Sequence, residues 1–301
     1  LDAAIHVTAG AHSAEYNGVK LSTRAGAPAS VRSGRRIAAL ANEIQDGSPA
    51  RPLAADKLPT LDPAPDYRKA VLKQLRRSRP ARGRLKIVCD PIHGAGSGYL
   101  PSLLASRSSV SCIRSQRDVQ FGGGGPHCTE RELPPLMREV RGRKAHLGLA
   151  IDGDGDRFGV VDRDGSFVSS NWILALLADY LLETRGSRMG IARSVATTRL
   201  LDDIARFHGV PLFEIPVESE DAPSLLAQGK ALIACEENGG LSVAGHVPRK
   251  DGLLAACLVA EMRAVRRKPL RQLVADLFRK TGPRHSAREE RALPPDVFEE
   301  V

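Results

Sequence analysis

The chain has 301 residues, 42% of them hydrophobic and 26% charged, with a formal net charge of +9. Length and composition fit a globular chain of two or three compact domains, and no apolar run is long enough to span a bilayer. The five cysteines (Cys89, Cys112, Cys128, Cys235, Cys257) are scattered without a CxxC pair, which excludes zinc-ligand spacing and a disulfide framework and places the chain in a reduced, cytoplasmic setting.

The opening LDAAIHVTAG has no initiator methionine and no basic segment before an apolar one, so it is not a signal peptide; a processed start or a fragment is expected. AAIHV reads as a strand and YNGVKLS as a turn. Pro- and Ala-rich stretches such as DGSPARPLAADKLPTLDPAPD then interrupt the helical segments that follow. RKAVLKQLRRSRPARGRLK (68–86) holds much of the positive charge. Excess charge of this sign favours anionic partners. With aromatics at 4% and no stacking platform among the basic residues, this stretch reads as a solvated helix and linker rather than a nucleic-acid surface.

From residue 84 the pattern changes to strand, glycine turn, helix: LKIVCD, PIHGAGSG, YLPSLLAS. A strand (VSCIRS), a GGGG loop, the helix ELPPLMREVRG and the strand LGLAID follow. FGVVDRDGSFVSS reads as a hairpin turning at Asp164-Gly165, and Asn171 as the cap of the helix NWILALLADYLLE. After 188 the alternation repeats, with IARSVATT, a helix LLDDIARFH stopped by Gly209, the strands PLFEIPV and ALIAC, and the helix LLAACLVAEMRAVRR. Such alternation predicts α/β architecture, with tandem three-layer α/β/α domains and mostly parallel sheets. The expected units are 1–83 (a partial first domain and linker), 84–187, 188–283, and a polar tail at 284–301.

IDGDGDRFG (151–159) crowds Asp152, Asp154 and Asp156 into five positions. An EF-hand needs glycine at its sixth position and glutamate at its twelfth, where this chain has Arg157 and Arg163. The alternative is a loop at the carboxyl end of LGLAID, the end at which α/β sheets place ligands. Three carboxylates that leave coordination positions open suit Mg²⁺ acting on a phosphoryl group. Arg157 then faces the phosphate. In KIVCDPIHGAGSG, Gly94 and Gly96 match part of a dinucleotide fingerprint, with Asp118 as the ribose contact. Tyr99 stands where the third glycine belongs, and a tight packing turn is the preferred reading. CEENGG (235–240) puts carboxylates and an amide on a glycine-hinged loop suited to sugar hydroxyls.

Together, IDGDGDRFGVVD, DPIHGAGSGYLP, CEENGGLSVAGHVPRKDG and SVATTRLLD resemble the alpha-D-phosphohexomutase family of phosphoglucomutases and phosphomannomutases. The resemblance implies three similar α/β domains and a smaller fourth. It also implies a phosphoserine that exchanges phosphoryl groups with a hexose phosphate through a bisphosphate. On that mapping Asp152, Asp154 and Asp156 hold magnesium. Glu236 and Asn238 form the sugar-hydroxyl pair, the family more often having serine at the second position. The family's Thr-Ala-Ser-His-Asn-Pro signature, followed by Glu-Tyr-Asn-Gly-x-Lys, corresponds here to TAGAHSAEYNGVK (8–20). Gly10 stands at the phosphoserine position and Ala11 at that of the histidine. Glycine has no oxygen to phosphorylate, so the covalent route is closed. Ser13, three residues on, is too far displaced to substitute for in-line transfer and reads as a polar loop serine. A substrate-approaching lysine is absent from PVESEDAP (216–223). The family's fourth-domain phosphate loop and the beginning of its first domain are absent too, which is expected to leave apolar strand edges exposed.

Overall fold

The computed structural model describes residues 2–10, 12, 14–44, 59–75, 84–217, 219–287 and 289. The first unit is small. Strands β1 (Ala3–Thr8) and β2 (Gly18–Thr23) form an antiparallel hairpin, and helix α1 (Val31–Glu43) follows, capped by the Ser30 side chain. Gly18–Thr23 is therefore a strand, where the sequence reads as a turn: Val19, Leu21 and Thr23 alternate with Lys20 and Ser22, the period of a pleated ribbon. Ile5 pairs with Leu21 and Val7 with Val19 on one face, and that face stays open, with Ile5 71%, Val7 72% and Val19 66% exposed. No α1 residue is buried. An α/β layer is thus absent from this unit among the described residues, and what is exposed is the apolar face of the hairpin.

After helix α2 (Ala64–Leu75) the packed body begins with β3 (Leu85–Asp90), α3 (Tyr99–Leu104), β4 (Ser108–Cys112), α4 (Pro134–Gly142), β5 (Leu147–Ile151), β6 (Phe158–Asp162) and β7 (Phe167–Val168). The strands form one sheet in the order β4-β3-β5-β6-β7. β4, β3 and β5 run parallel, and β6 and β7 are antiparallel additions. The hairpin turns at Asp164-Gly165 as expected, with Gly165 at φ +79. The remaining elements are α5 (Ser170–Arg185), β8 (Gly190–Ser194), α6 (Leu200–His208), β9 (Leu212–Ile215), α7 (Asp221–Ala227), β10 (Ala231–Cys235), β11 (Leu241–Val243), α8 (Gly252–Arg266) and α9 (Leu270–Thr281). Their sheet runs β11-β10-β8-β9, parallel except for β11.

The two sheets share one hydrophobic core. Helix α8 is buried from Gly252 through Ala264 with no polar stripe, the pattern of a helix enclosed on all sides. It packs on β5 and β6 of the first sheet and on α5 of the following unit. Each buried leucine there contributes roughly 1.5–3 kcal/mol of transfer free energy. A second core, with Val88, Leu136, Val140 and Val161, fills the opposite face of the first sheet beneath α4.

Three local expectations change. Asn171 does not cap α5, which begins one residue earlier. Its buried amide oxygen instead accepts the Thr198 N–H at 3.1 Å and ties the helix to the turn after β8. Leu270–Thr281 adds a further helix, for which no element is expected above, because Leu270, Leu273, Val274 and Leu277 form one buried stripe. The start of the polar tail is docked: Arg284 Nε lies 2.8 Å from Asp203 Oδ2, and Trp172 Nε1–H donates to the Arg284 carbonyl at 3.2 Å. Much of the Pro-rich linker, part of the basic stretch at 68–86, and Ala11, Ser13 and Glu218 lie outside the described residues. Among the described residues no helix is long and apolar enough to cross a membrane.

Candidate metal and phosphate site

Residues 152–157 join the carboxyl end of β5 to β6, and backbone geometry forces their side chains inward. A side chain at Gly153 would place Cβ 2.9 Å from Phe121 Cε1 and from Pro126 Cβ, and Gly155 has φ +87; both are conformations or spaces that only glycine tolerates. Gly94 supports the loop from below. Its Cβ would lie 2.6 Å from the Gly153 carbonyl oxygen, and the Ala95 N–H donates to that oxygen at 3.0 Å. The GAG turn is therefore a backbone-to-backbone packing device. Asp118 is consumed locally, accepting the N–H groups of Gln120 and Gly122, so the dinucleotide alternative falls.

Ligand atoms of Asp152, Asp154 and Asp156 lie within 4.8 Å of one another. Asp152 is fully buried. One of its oxygens accepts the N–H groups of Gly155 (3.0 Å) and Arg157 (3.1 Å). The other has no hydrogen-bond partner, and neither do the buried oxygens Asp154 Oδ1 and Asp156 Oδ1. Burial, and then repulsion from Asp156 and Asp154, pushes the Asp152 carboxyl up to about 8. Burial followed by Asp156 also raises Asp154. Buried carboxylate oxygens are ordinarily satisfied, and leaving one bare costs several kcal/mol. Three clustered carboxylates, each with a buried oxygen that accepts no hydrogen bond, form a hard donor set that fits Mg²⁺.

Cations ring this point. Arg157 Nε lies 3.5 Å from Asp156 and 4.0 Å from Asp152, without a hydrogen bond of its own. Lys20 Nζ, from β2, is 3.8 Å from Asp154 Oδ2. Lys250 Nζ is 3.1 Å from Glu236 and 3.9 Å from Asp156. Glu236 and Asn238 share the loop after β10: the Asn238 amide donates to Glu236 at 3.4 Å, and its oxygen accepts the Gly240 N–H at 3.0 Å. This loop is joined to the aspartate loop by a β-bridge between Arg157 and Gly240 and by the Gly252 N–H donating to the Gly155 carbonyl at 3.0 Å. All six side chains named in the sequence reading therefore gather at one place. Gly10, the seventh position, joins them: a Cβ there would lie 3.4 Å from Lys20 Nζ and 3.8 Å from Asp154 Oδ2.

Sequence reasoning missed Lys20 and Lys250. Both were within reach, since Lys20 closes the Glu-Tyr-Asn-Gly-x-Lys segment and Lys250 lies in CEENGGLSVAGHVPRKDG. No lysine comes from 216–223, but Lys250 brings one beside Glu236 from the end of the same sugar loop.

Family models described as phosphoglucomutase/phosphomannomutase, alpha/beta/alpha domain II and domain III, match residues 65–165 and 169–281. The chain belongs to the phosphoglucomutase/phosphomannomutase family. A phosphoglucomutase/phosphomannomutase of Thermococcus kodakarensis is 28% identical over 275 residues, which is 90% of this chain and 59% of the relative. The crystal structure of a Thermus thermophilus protein, assigned by inference as a phosphomannomutase, superposes with a TM-score of 0.81 at 27% identity, covering 93% of this chain and 64% of that one. An Aspergillus fumigatus N-acetylphosphoglucosamine mutase, crystallised with GlcNAc-6P and magnesium, shares the fold at a TM-score of 0.63 and 15% identity, covering 91% and 72%. The chain thus spans about three fifths of the length of its Thermococcus relative.

Proposed function

We propose that the chain carries a magnesium- and hexose-phosphate-binding site of the phosphohexomutase type, in which conventional mutase turnover is absent or very low. The observation that supports this most is the cluster of three carboxylates, each with a buried oxygen that accepts no hydrogen bond, bordered by Arg157, Lys20 and Lys250 and by Gly10. Asp152, Asp154 and Asp156 would hold the metal, which when bound neutralises charge on a phosphoryl group. Arg157 and Lys20 would bind phosphate oxygens, Arg157 through its fork and Lys20 as a point charge. Glu236 would accept hydrogen bonds from sugar hydroxyls, held in place by Lys250, and the Asn238 amide would donate. The complex of the Aspergillus relative with a sugar phosphate and magnesium fits the same ligand class.

Gly10 offers no nucleophile, so a phosphoryl group cannot be parked on the chain at that position. Gly10→Ser alone should restore little, because Ala11 still replaces the histidine. A second reading, an active phosphoglucomutase or phosphomannomutase, is favoured by the retention of the acidic loop and its three cations. The deciding experiment is a mutase assay on the folded chain with glucose 1-phosphate, Mg²⁺ and a trace of glucose 1,6-bisphosphate, alongside calorimetric titration of the bisphosphate. Binding without turnover is expected. Magnesium-dependent turnover would overturn the inactive reading and direct attention to Ser13. Failure to bind either metal or bisphosphate would overturn both readings.

A further inference from the structure

All five cysteines are free thiols, but they are not equivalent. Cys128, Cys235 and Cys257 are buried, and burial pushes each thiol up, which makes them poor nucleophiles. The other two, distant in sequence, face each other. β3 and β4 run parallel with Cys89 directly opposite Cys112, and β4 is an edge strand. Paired residues of adjacent strands leave the sheet on the same side, about 4.8 Å apart along the hydrogen-bonding direction. That spacing falls within the Cα range of about 4.4–6.8 Å over which disulfides form. Cys112 is half-buried and Cys89 is buried; the neighbouring sulfur holds the Cys112 thiol below its ordinary range and raises that of Cys89. The pair therefore combines a reachable thiol with a resolving thiol in register with it on the neighbouring strand.

We propose that Cys89 and Cys112 form a reversible oxidation site that reacts with hydroperoxides to give an intramolecular disulfide. The Cys112 thiolate attacks the terminal oxygen of the hydroperoxide, the O–O bond breaks, and the departing alkoxide or hydroxide takes up a proton. Cys112 is then a sulfenic acid. The Cys89 sulfur attacks it, the S–O bond breaks, and the Cys89 proton leaves with the hydroxyl as water. In sum two thiols are oxidised by two electrons and one peroxide is reduced; an external dithiol reverses the step by exchange.

The position of the pair gives the modification a path to the aspartate loop. The Cys89 carbonyl accepts the Ile113 N–H at 3.0 Å, and the next residue on each side forms the ion pair Asp90–Arg114 at 2.5 Å. The Arg114 carbonyl accepts the His93 N–H at 2.8 Å, and Gly94 packs directly on Gly153. A covalent bond between β3 and β4 thus acts within five residues of the turn that supports the metal-ligating carboxylates.

The test is intact-mass and peptide mass spectrometry of the full chain after stoichiometric hydrogen peroxide, with circular dichroism confirming the fold. The expected product is lighter by two hydrogens, has free thiols reduced from the five of the parent to three, and yields a Cys89–Cys112 linked peptide that dithiothreitol removes. Cys89→Ser should trap the sulfenic acid on Cys112, visible as a dimedone adduct. Cys112→Ser should show neither adduct nor link at the same dose. Oxygen added to the parent chain without a link, a link between other cysteines, or no reaction would each overturn the proposal, whether or not the variants fold.

Discussion

The hairpin and helix of residues 2–44 differ sharply from the body of residues 84–281, although both contribute to one site. The body fixes its aspartate loop with a buried sheet, a fully enclosed α8 and glycines pressed against neighbouring backbone. The first unit buries none of α1 and exposes the apolar face of its hairpin. It is held in place by a few contacts: Lys20 to Asp154, the Val31 N–H to Glu220, and Gly26 beneath Val247. Local stability follows buried apolar contact. The site is therefore assembled from a rigid half and a lightly attached half, and Gly10 lies in the second.

The largest test of this contrast concerns the rigid half. Folded Asp152 keeps its proton up to about pH 8, while in the unfolded chain a carboxyl releases it near the ordinary value of 3.8. Between those limits the folded state binds more protons, so stability falls as pH rises through that window. Asp152→Asn removes this term. Without metal at pH 8 the variant should be more stable than the parent by an amount on the order of 5 kcal/mol at most, and near pH 4 the two should converge. Mg²⁺ should raise the parent's Tm at pH 8 and leave the variant's unchanged. Equal pH profiles in the two chains would remove the carboxylate repulsion from the account.

Next in size is a matched pair of truncations. Leu149→Ala, in the centre of β5, should cost about 2–5 kcal/mol in denaturant unfolding. Val7→Ala, on the open hairpin face, should fall within about 0.5 kcal/mol of the parent. A comparable loss at Val7 would show that the hairpin face is covered in solution. Gly10→Ser should cost about 1 kcal/mol of local stability, because Gly10 sits at φ +60, where a side chain is strained. Faster amide exchange confined to residues 3–23, with an unchanged global midpoint, is the expected signature. Lys20→Ala should have the smallest effect. Lys20 is about half exposed, so removing its charge should tighten Mg²⁺ binding less than about fivefold near pH 8.5.

What the sequence made legible follows the same division. β3, β5, β6, β8 and β10 were readable because short apolar runs between glycine turns leave few alternatives. The aspartate loop was readable because Gly153 and Gly155 leave three carboxylates nowhere else to point. Asn171 misled because its amide is used in a long-range bond to Thr198, which local capping rules cannot see. Lys20, Lys250 and the facing of Cys89 with Cys112 depend on sheet register and loop juxtaposition. A single sequence read one segment at a time carries neither.

The bridge between Arg157 and Gly240 and the bond from Gly252 to Gly155 have a consequence for how the site can open. They join the aspartate loop to the segment that follows β10, and a Cβ at Gly252 would sit 2.3 Å from the Arg157 carbonyl, so that seam is packed backbone against backbone. A ligand seated beside these loops would therefore meet two joined walls and one lightly attached side, the hairpin that carries Lys20.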